Sequence, residues 1–480
     1  MSSTRPYYIA GRWERSDDRL EVVNPYDGSV VGVTSYVSEA HIEEALSAAE
    51  RAFAETRRLP AYARSEVLLR IRDGMLARCE ELARLIVQEA GKPWRDASGE
   101  VERAALTVQT AAEEARRIGG EMIPLDWAPR GRQRVGVLGR FPIGPVLGIS
   151  PFNFPLNLAI HKLGPAIAAG NPIILKPASK TPLVMLAMAE IIDGAGLPAG
   201  AVSILPLPGA RAERLAGDSR IKAVSFTGSS QVGWRLRDVA GPKRVLLELG
   251  GNAGVIVDES APLDYAVGQL VVGGFAYDGQ SCISVQRIYV HGSIFDNFLE
   301  RFGERVANLK VGDPMDPNTD LGPMIDEDAA RRIAAWVEEA VVQGARVVTG
   351  GHRRGSVFEP TVLVGAPPEA KVCAEEAFAP LVVVSPFDTF EEAVREVNRS
   401  YYGLQAGVFT RDLERAWYAF ENIEVGGVVI NDVATWRAEH QPYGGVKGSG
   451  LGREGVKYAI EEMTDLRLMI LNRSWTQEGP

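Results

Sequence analysis

The chain has 480 residues, of which 46% are apolar and 24% charged, and a formal net charge of −10. This composition is typical of a folded protein and argues against disorder, and the length predicts two or more domains. The negative charge disfavours nucleic acid and anionic membrane surfaces as partners.

The first residues, 1–11, lack the basic and apolar segments of a secretion signal. No uninterrupted apolar run further along the chain reaches membrane-spanning length, so we expect a cytoplasmic protein. The three cysteines are too few and too scattered for a disulfide framework, and the five histidines show no metal-ligand spacing. We therefore predict no metal site.

Helical spacing dominates residues 39–57 and 64–90, which are rich in Ala, Glu, Leu and Arg. Ser38 and Ser65 are the candidate N-terminal caps of these helices. Residues 123–144 then change to a strand-like pattern that is broken by proline and glycine, which predicts a hairpin arm.

From residue 144 onward, short apolar runs alternate with helical stretches, a pattern typical of βαβ units and a parallel sheet. The predicted strands are 172–175, 202–205, 223–226, 245–249, 255–257, 285–290, 381–384, 406–409 and 428–430. Predicted helices lie near 182–194, 211–216, 230–239 and 454–462. A last apolar run covers 466–471.

Cys282 is the most informative residue, because it ends the run Gly279-Gln280-Ser281-Cys282 downstream of Glu248-Leu249-Gly250-Gly251. Taken alone, it would be interpreted as a small buried hydrophobe. Three polar residues argue for a nucleophile instead. They are Glu248 as a candidate base, Asn153 between two prolines as a candidate oxyanion donor, and Lys176 at a predicted strand end as a candidate nucleotide ligand.

These residues resemble the NAD(P)-dependent aldehyde dehydrogenase superfamily, over most of the chain. Further matching motifs are Glu89-Ala90-Gly91-Lys92-Pro93, Phe226-Thr227-Gly228-Ser229-Ser230, Glu375-Glu376-Ala377-Phe378-Ala379-Pro380, Pro442-Tyr443-Gly444-Gly445-Val446-Lys447 and Ser449-Gly450-Leu451-Gly452-Arg453-Glu454-Gly455. The resemblance implies oxidation of an aldehyde to a carboxylic acid through a Cys282 thioester. Asn153 and the Cys282 backbone N–H would hold the oxyanion, and Glu248 would activate the hydrolytic water.

The resemblance also implies an α/β fold with three parts. A Rossmann-like cofactor domain would take residues 1–122 and 142–250, with 441–462 packed against it, and a catalytic α/β domain would take 251–440. Residues 123–141 and 463–480 would form an oligomerisation arm, so we expect a homodimer or a homotetramer.

NAD or NADP is the implied cofactor, although after the predicted strand 202–205 the chain offers one glycine, Gly209, in place of a Gly-x-Gly-x-x-Gly loop. The resemblance places the pyrophosphate at Gly228 and Ser229 instead, where a helix start favours an anion. Ser179 lacks the charge that would repel a 2′-phosphate, so we expect NADP to be accepted as well as NAD. The predicted cofactor residues are Ser150, Pro151, Phe152, Lys176, Ser179, Gly209, Phe226, Gly228, Ser229, Val232, Leu249, Gly250, Glu376 and Phe378.

The predicted substrate residues are Arg103, Phe154, Tyr277, Trp436 and Arg437. The aromatic rings would narrow the pocket, and the two arginines would bind a hydroxyl, phosphate or carboxylate on a short polar aldehyde. The alternative is that both arginines lie on the surface or in a subunit interface.

Two other functions stay open at this stage. A CoA-acylating relative would release the thioester to CoA, and Glu248 argues against it because such relatives often lack this base. A catalytically idle binding protein would keep the fold without the chemistry, and the intact set of Cys282, Glu248, Asn153 and Lys176 argues against that.

Overall fold

The computed structural model describes residues 4–473. Most strands belong to two sheets, one of eight and one of seven strands, and three more form a separate arm. Helices pack against both large sheets, so the α/β fold predicted from the alternating pattern is confirmed. Residues 1–3 of the predicted cofactor domain and residues 474–480 of the predicted arm lie outside the described residues.

The eight-stranded sheet has five parallel strands at its centre and antiparallel strands on either side. Its spatial order is Arg12–Glu14, Tyr7–Ile9, Val202–Ile204, Ile173–Lys176, Val146–Ile149, Ala223–Thr227, Arg244–Glu248 and Gly450–Leu451. The parallel strands are almost fully buried runs of Val, Ile and Leu, as expected for a sheet covered on both faces. Their carboxyl ends meet at one edge of the sheet, where open α/β folds bind ligands.

The seven-stranded sheet is parallel except at one end. Its spatial order is Arg346–Thr349, Thr361–Val364, Leu381–Phe387, Val285–His291, Ala253–Val257, Gln405–Phe409 and Gly427–Ile430. Three short antiparallel pairs complete the large body: Arg19–Val23 with Val30–Ser35, Arg353–Arg354 with Val357–Phe358, and Tyr402–Gly403 with Val446–Lys447.

The described α-helices are Glu39–Thr56, Ala61–Ala77, Cys79–Ala90, Trp94–Ala115, Asn157–Ala169, Leu183–Asp193, Gly209–Gly217, Ser230–Ala240, Leu263–Phe275, Phe295–Ala307, Glu327–Val342, Lys371–Ala374, Phe390–Asn398, Leu413–Asn422 and Val456–Glu462. Short 3₁₀ turns cover Pro129–Gly131, Ala276–Gly279 and Gly292–Ile294. Within residues 4–473, none of the helices is both long enough and apolar enough to cross a bilayer.

Two details of the helix prediction are wrong. The stretch 64–90 is two helices, Ala61–Ala77 and Cys79–Ala90, because Arg78 between them leaves the helical conformation. Ser65 is not a cap but lies buried inside the first helix, whose N-cap is Pro60. Ser38 does cap its helix, since its side chain accepts a hydrogen bond from the His41 backbone N–H.

The predicted hairpin is present as the strands Met122–Pro124 and Arg134–Pro142. The last strand, Thr464–Asn472, pairs along its whole length with Arg134–Pro142 and forms one edge of this three-stranded arm. Its residues 466–471 are exposed although most are apolar.

Candidate active site

Cys282 lies in a tight turn between a helix and a strand, after the 3₁₀ turn Ala276–Gly279. Tyr277, Asp278 and Gly279 all have left-handed backbone angles there. A Cβ at Gly279 would collide with the Ala379 carbonyl, which explains a glycine at this position. Burial raises the pKa of the Cys282 thiol to about 12. The thiol is therefore protonated at neutral pH, and it needs a neighbouring base to remove its proton before it can act as a nucleophile.

Asn153 follows the strand Val146–Ile149 and precedes the helix Asn157–Ala169. Its side chain is buried, and the amide Nδ2 donates a hydrogen bond to the Gln280 carbonyl at 2.9 Å. This bond ties the amide to the turn that carries Cys282. It also leaves the second N–H of the same amide group as a donor, because an amide nitrogen carries two hydrogens.

Glu248 is the last residue of the strand Arg244–Glu248 and is 4% exposed. Burial, together with the negative charge of Glu454, raises its pKa well above the usual value. Among the described residues, nothing donates a hydrogen bond to its Oε2. A buried carboxyl with a raised pKa and a free acceptor atom is suited to receive a proton from a thiol or a water molecule.

Two cavities meet at Cys282, and we name them by their linings. The strand-end cavity has a volume of about 380 Å³. It is lined by Ile149, Ser150, Pro151, Phe152, Asn153, Leu158, Lys176, Ala178, Phe226, Thr227, Gly228, Ser229, Val232, Glu248, Leu249, Gly250, Cys282, Glu376 and Phe378. All predicted cofactor residues except Ser179 and Gly209 are therefore brought together in it.

Ser179 and Gly209 lie outside the strand-end cavity. Ser179 lines a neighbouring cavity with Lys180 and donates a hydrogen bond to the Leu207 carbonyl at 3.5 Å. Gly209 begins the helix Gly209–Gly217, and a Cβ added there would meet open space.

The residues of the strand-end cavity fit a dinucleotide. A Cβ at Gly250 would collide with the Glu376 carboxylate, and one at Gly228 would lie 2.5 Å from the Phe226 ring, so a larger residue at either position would displace a side chain that lines the cavity. Glu376 accepts a hydrogen bond from the Gly251 N–H at 2.9 Å, and burial raises its pKa to about 7.

Aromatic and cationic groups complete the same cavity. Phe378, which has a left-handed backbone, packs edge-to-face against Phe152 with ring centres 5.9 Å apart. Burial lowers the pKa of Lys176 to about 8. An anionic ligand at this site would favour the protonated amine.

The arginine cavity, which Cys282 also lines, has a volume of about 310 Å³. It is lined by Arg95, Asp96, Gly99, Glu100, Arg103, Phe154, Asn157, Leu158, Val272, Ala276, Tyr277, Ser281, Cys282, Ile283, Ser284, Thr435, Arg437 and Tyr443. Four of the five predicted substrate residues belong to it. The fifth, Trp436, is 52% exposed and lies outside the lining.

Phe154 and Tyr277 form an aromatic wall of the arginine cavity, with ring centres 6.0 Å apart. The ammonium group of Lys92, which is fully buried, lies 3.7 Å from the centre of the Phe154 ring and 4.3 Å from that of Tyr277. Lys92 forms an ion pair with Glu100, whose other oxygen accepts hydrogen bonds from the backbone N–H groups of Leu156 and Asn157. The wall is thus fixed to the start of the helix behind it.

The two arginines are held by buried carboxylates. Arg103 donates its Nε–H to Glu439 at 2.7 Å, and Glu439 also contacts His161 at 2.6 Å. Arg437, with only 6% of its side chain exposed, donates to Glu454 at 3.1 Å, while its Nε has no acceptor among the described residues. Arg437 is therefore a buried residue of the cavity lining and not a surface residue.

Sequence reasoning missed a group of buried polar residues around the nucleophile: His161, Lys162, Glu439, Tyr443 and Glu454. Lys162 contacts Glu454 at 3.5 Å and donates to the Thr227 hydroxyl at 2.6 Å. Burial would raise the pKa of Glu454, but the adjacent His161, Lys162 and Arg437 outweigh it and lower that pKa.

One sequence signal points to part of this group. His161 and Lys162 interrupt an otherwise mostly apolar helix, Asn157–Ala169, that is buried on every side. Polar side chains are rarely buried without partners, so this pair predicts a buried polar network. Across the described residues, no cluster of His, Cys, Asp and Glu has the arrangement of a metal site.

Comparisons with known proteins agree with this geometry. The chain is 44% identical to 3-sulfolactaldehyde dehydrogenase of Priestia megaterium over 97% of both chains. Its structure is similar to that of aldehyde dehydrogenase 21 from Physcomitrella patens in complex with the reaction product succinate, with a TM-score of 0.97, 45% identity and coverage of 98% and 99% of the two chains.

It is also similar to the glyceraldehyde-3-phosphate dehydrogenase of Methanocaldococcus jannaschii complexed with NADP, with a TM-score of 0.91, 39% identity and coverage of 95% and 99%. The sequence profile of the Aldehyde dehydrogenase family matches residues 13–469. With a profile match over nearly the whole chain and these relatives, the protein belongs to the aldehyde dehydrogenase family.

Proposed function

We propose that this protein oxidises a short aldehyde with an anionic or hydroxylated tail to the carboxylic acid, using NAD or NADP. The observation that carries the proposal is the position of Cys282, which lines both the strand-end cavity and the arginine cavity. A nucleophile there faces a dinucleotide on one side and a charged substrate on the other.

Cys282 supplies the covalent step. Its thiolate attacks the aldehyde carbon, and the carbonyl oxygen becomes an oxyanion that accepts hydrogen bonds from the Asn153 amide and the Cys282 backbone N–H. A dinucleotide held by Lys176, Glu376 and Phe378 in the strand-end cavity would supply the acceptor for the hydride. What stays on the enzyme is a thioester at Cys282.

Glu248 acts as the base. In its ionised form it removes the thiol proton and later takes a proton from the water that hydrolyses the thioester. Its free Oε2 and its place in the strand-end cavity with Cys282 support both roles. A base beside the thioester favours hydrolysis over transfer to CoA.

The substrate class follows from charge and from the relatives. Two of the three similar proteins are named for the aldehydes 3-sulfolactaldehyde and glyceraldehyde 3-phosphate, and the third has succinate as its reaction product. These molecules carry a sulfonate, a phosphate or a carboxylate away from the reacting carbon. Arg103 and Arg437 line the arginine cavity of this protein, and a guanidinium group matches each of these anions. The size of about 310 Å³ favours a short substrate over a long-chain aldehyde.

A substrate panel tests this proposal. We expect kcat/KM to be highest for succinic semialdehyde, 3-sulfolactaldehyde, glyceraldehyde 3-phosphate or lactaldehyde, and at least about tenfold lower for butanal. Decanal as the best substrate would contradict the size argument. Failure to oxidise any aldehyde would contradict the function itself.

For the cofactor, we propose that NADP is accepted as well as NAD. Lys176 in the strand-end cavity supplies a positive charge, and Ser179 contributes no opposing negative charge. Steady-state kinetics with both cofactors decide the matter. A preference for NAD above about a hundredfold, which corresponds to about 2.7 kcal/mol, would contradict dual use.

For assembly, we propose a homodimer or a homotetramer built through the arm. The strand Thr464–Asn472 leaves one edge and several apolar side chains exposed, and exposed edges of this kind promote pairing with another chain. Sedimentation that shows a stable monomer at micromolar concentration would contradict this proposal.

A further inference from the structure

A side chain from far along the chain, that of Tyr443, contacts the nucleophile. The Tyr443 hydroxyl lies 3.2 Å from the Cys282 sulfur, within hydrogen-bond distance for a sulfur atom. Tyr443 is 3% exposed and lines the arginine cavity. The reaction steps assigned to Cys282, Asn153 and Glu248 do not involve this hydroxyl.

The Tyr443 ring is fixed in place from two directions. Its backbone N–H and C=O both bond to the backbone of Glu454, at 2.9 and 2.6 Å. The guanidinium of Arg437 lies on the ring face, 3.8 Å from its centre, while Ile283 and Leu404 pack around the ring. The hydroxyl therefore has little freedom to leave the sulfur.

The direction of this hydrogen bond depends on the state of the thiol. When Cys282 is protonated, either the thiol or the phenol can be the donor. When Cys282 is a thiolate, only the phenol O–H can donate. A hydrogen bond to a charged acceptor is also about twice as strong as one between neutral groups. The contact thus stabilises the thiolate more than the thiol.

The surroundings of Cys282 and Tyr443 determine which of the two groups keeps its proton and can donate the hydrogen bond. Glu376 and Glu248 face Cys282 from the strand-end cavity and disfavour its thiolate, while Arg437 favours it. Burial raises the pKa of Tyr443 well above its usual value, so the phenol keeps its proton at working pH.

We propose that Tyr443 is a catalytic residue, whose hydroxyl donates a hydrogen bond to the Cys282 thiolate and so increases the share of enzyme ready to attack the aldehyde. The proton of the thiol leaves to Glu248, and Tyr443 keeps its own. This role rests on the proposed function of Cys282 as the nucleophile.

The test is alkylation of Cys282 in the cofactor-free enzyme, which needs no aldehyde oxidation. Tyr443→Phe removes one oxygen atom and keeps the ring. A lost hydrogen bond to a charged group shifts the thiol pKa upward by about one to two units, partly offset by the higher nucleophilicity of a more basic thiolate. We therefore expect alkylation between pH 7 and 9 to slow about three- to tenfold.

Iodoacetamide and the larger N-ethylmaleimide separate thiolate stabilisation from access. A change in the thiolate population slows both reagents by a similar factor, whereas an altered cavity shape changes them unequally. Tyr8→Phe is the matched control, because it removes one buried phenol hydroxyl that donates to the Asp193 carboxylate at 3.0 Å, and Tyr8 lines neither of the two cavities. Its alkylation rate is expected to equal that of the parent enzyme.

Equal alkylation rates for Tyr443→Phe and the parent enzyme would overturn the proposal, as would a slowing confined to the larger reagent. Equal thermal unfolding midpoints for the two enzymes establish that the variant is folded. Failure of the proposed function would look different: the parent enzyme would not oxidise aldehydes, whatever the alkylation rates of the two enzymes.

Discussion

The two cavities that meet at Cys282 are built in different ways. The strand-end cavity is formed by the carboxyl ends of neighbouring parallel strands, with glycines that keep space open for a ligand. The arginine cavity is formed by charged and aromatic side chains from distant parts of the chain, including Arg103 and Arg437. The strand-end side therefore depends on backbone shape together with Lys176 and two aromatic rings, whereas the arginine side depends mainly on side-chain charge.

This difference separates what each cavity can discriminate. A backbone cradle recognises a ligand common to many enzymes, whereas side chains held by ion pairs can vary with the substrate. A substitution on one side of Cys282 should then alter the affinity for either the cofactor or the aldehyde and leave the other affinity unchanged.

The largest effect is expected for Cys282→Ser, since this residue belongs to both cavities. A hydroxyl is a far poorer nucleophile than a thiol at neutral pH, so oxidation should fall at least about a hundredfold. Binding of NAD or NADP, measured by calorimetry, should stay within about twofold. Oxidation above a few per cent of the parent rate would mean that another residue is the nucleophile.

Glu248→Gln should slow turnover by about 10²- to 10⁴-fold, which is the usual contribution of a general base. Thioester hydrolysis should be affected more than hydride transfer. Rapid mixing should therefore show a burst of NAD(P)H followed by a slow steady state. Unchanged turnover, or turnover restored by added CoA, would favour the acylating alternative.

On the substrate side, Arg103→Met should lower kcat/KM for an anionic aldehyde about 10- to 100-fold through the loss of a charge-assisted hydrogen bond. The value for butanal should change less than about threefold, and so should the affinity for NADP. An equal loss for both aldehydes would assign Arg103 to the structure of the cavity instead of to anion recognition.

On the cofactor side, Gly250→Ala should weaken NAD(P) binding about tenfold, because the new methyl group collides with the Glu376 carboxylate. The control is Gly194→Ala, where the nearest atoms lie 3.7 Å from the added carbon. Both variants should keep the parent preference among aldehydes. A changed preference in Gly250→Ala would show that the two cavities are coupled.

The smallest effect concerns pH and stability. The pKa of Glu248 is raised in the folded protein above its ordinary value of 4.5. The protonated carboxyl therefore makes its full contribution to stability when the pH is below 4.5. This contribution is lost as the pH rises through the raised pKa. As the pH rises above about 4.5, Glu248→Gln should therefore lose less thermal stability than the parent enzyme. Parallel Tm curves would contradict a raised pKa.

Most of the predicted cofactor residues follow buried strands and glycines in recognisable motifs, and the fold brings these residues together in the strand-end cavity. Twelve of the fourteen predicted cofactor residues line it. Ser179 and Gly209 do not, because the chain turns toward a neighbouring cavity after Lys176 and begins a helix at Gly209.

The arginine cavity was predicted less completely. Arg103 and Arg437 were identified, but their partners Glu439 and Glu454 come from other segments, and no local pattern indicates which charges will pair. The contact between Tyr443 and Cys282 likewise joins residues 161 positions apart. Such contacts depend on how the two large sheets pack, which local periodicity does not encode.

The central claim is that Cys282, which lines both cavities, forms a thioester with the substrate, and its most direct test is mass spectrometry of Glu248→Gln after a single turnover. The variant is mixed with NADP and succinic semialdehyde, quenched in acid and digested. The account predicts an acyl group on the peptide that contains Cys282, in an amount that matches the NADPH formed. NADPH formed without any acylated Cys282 would contradict the account.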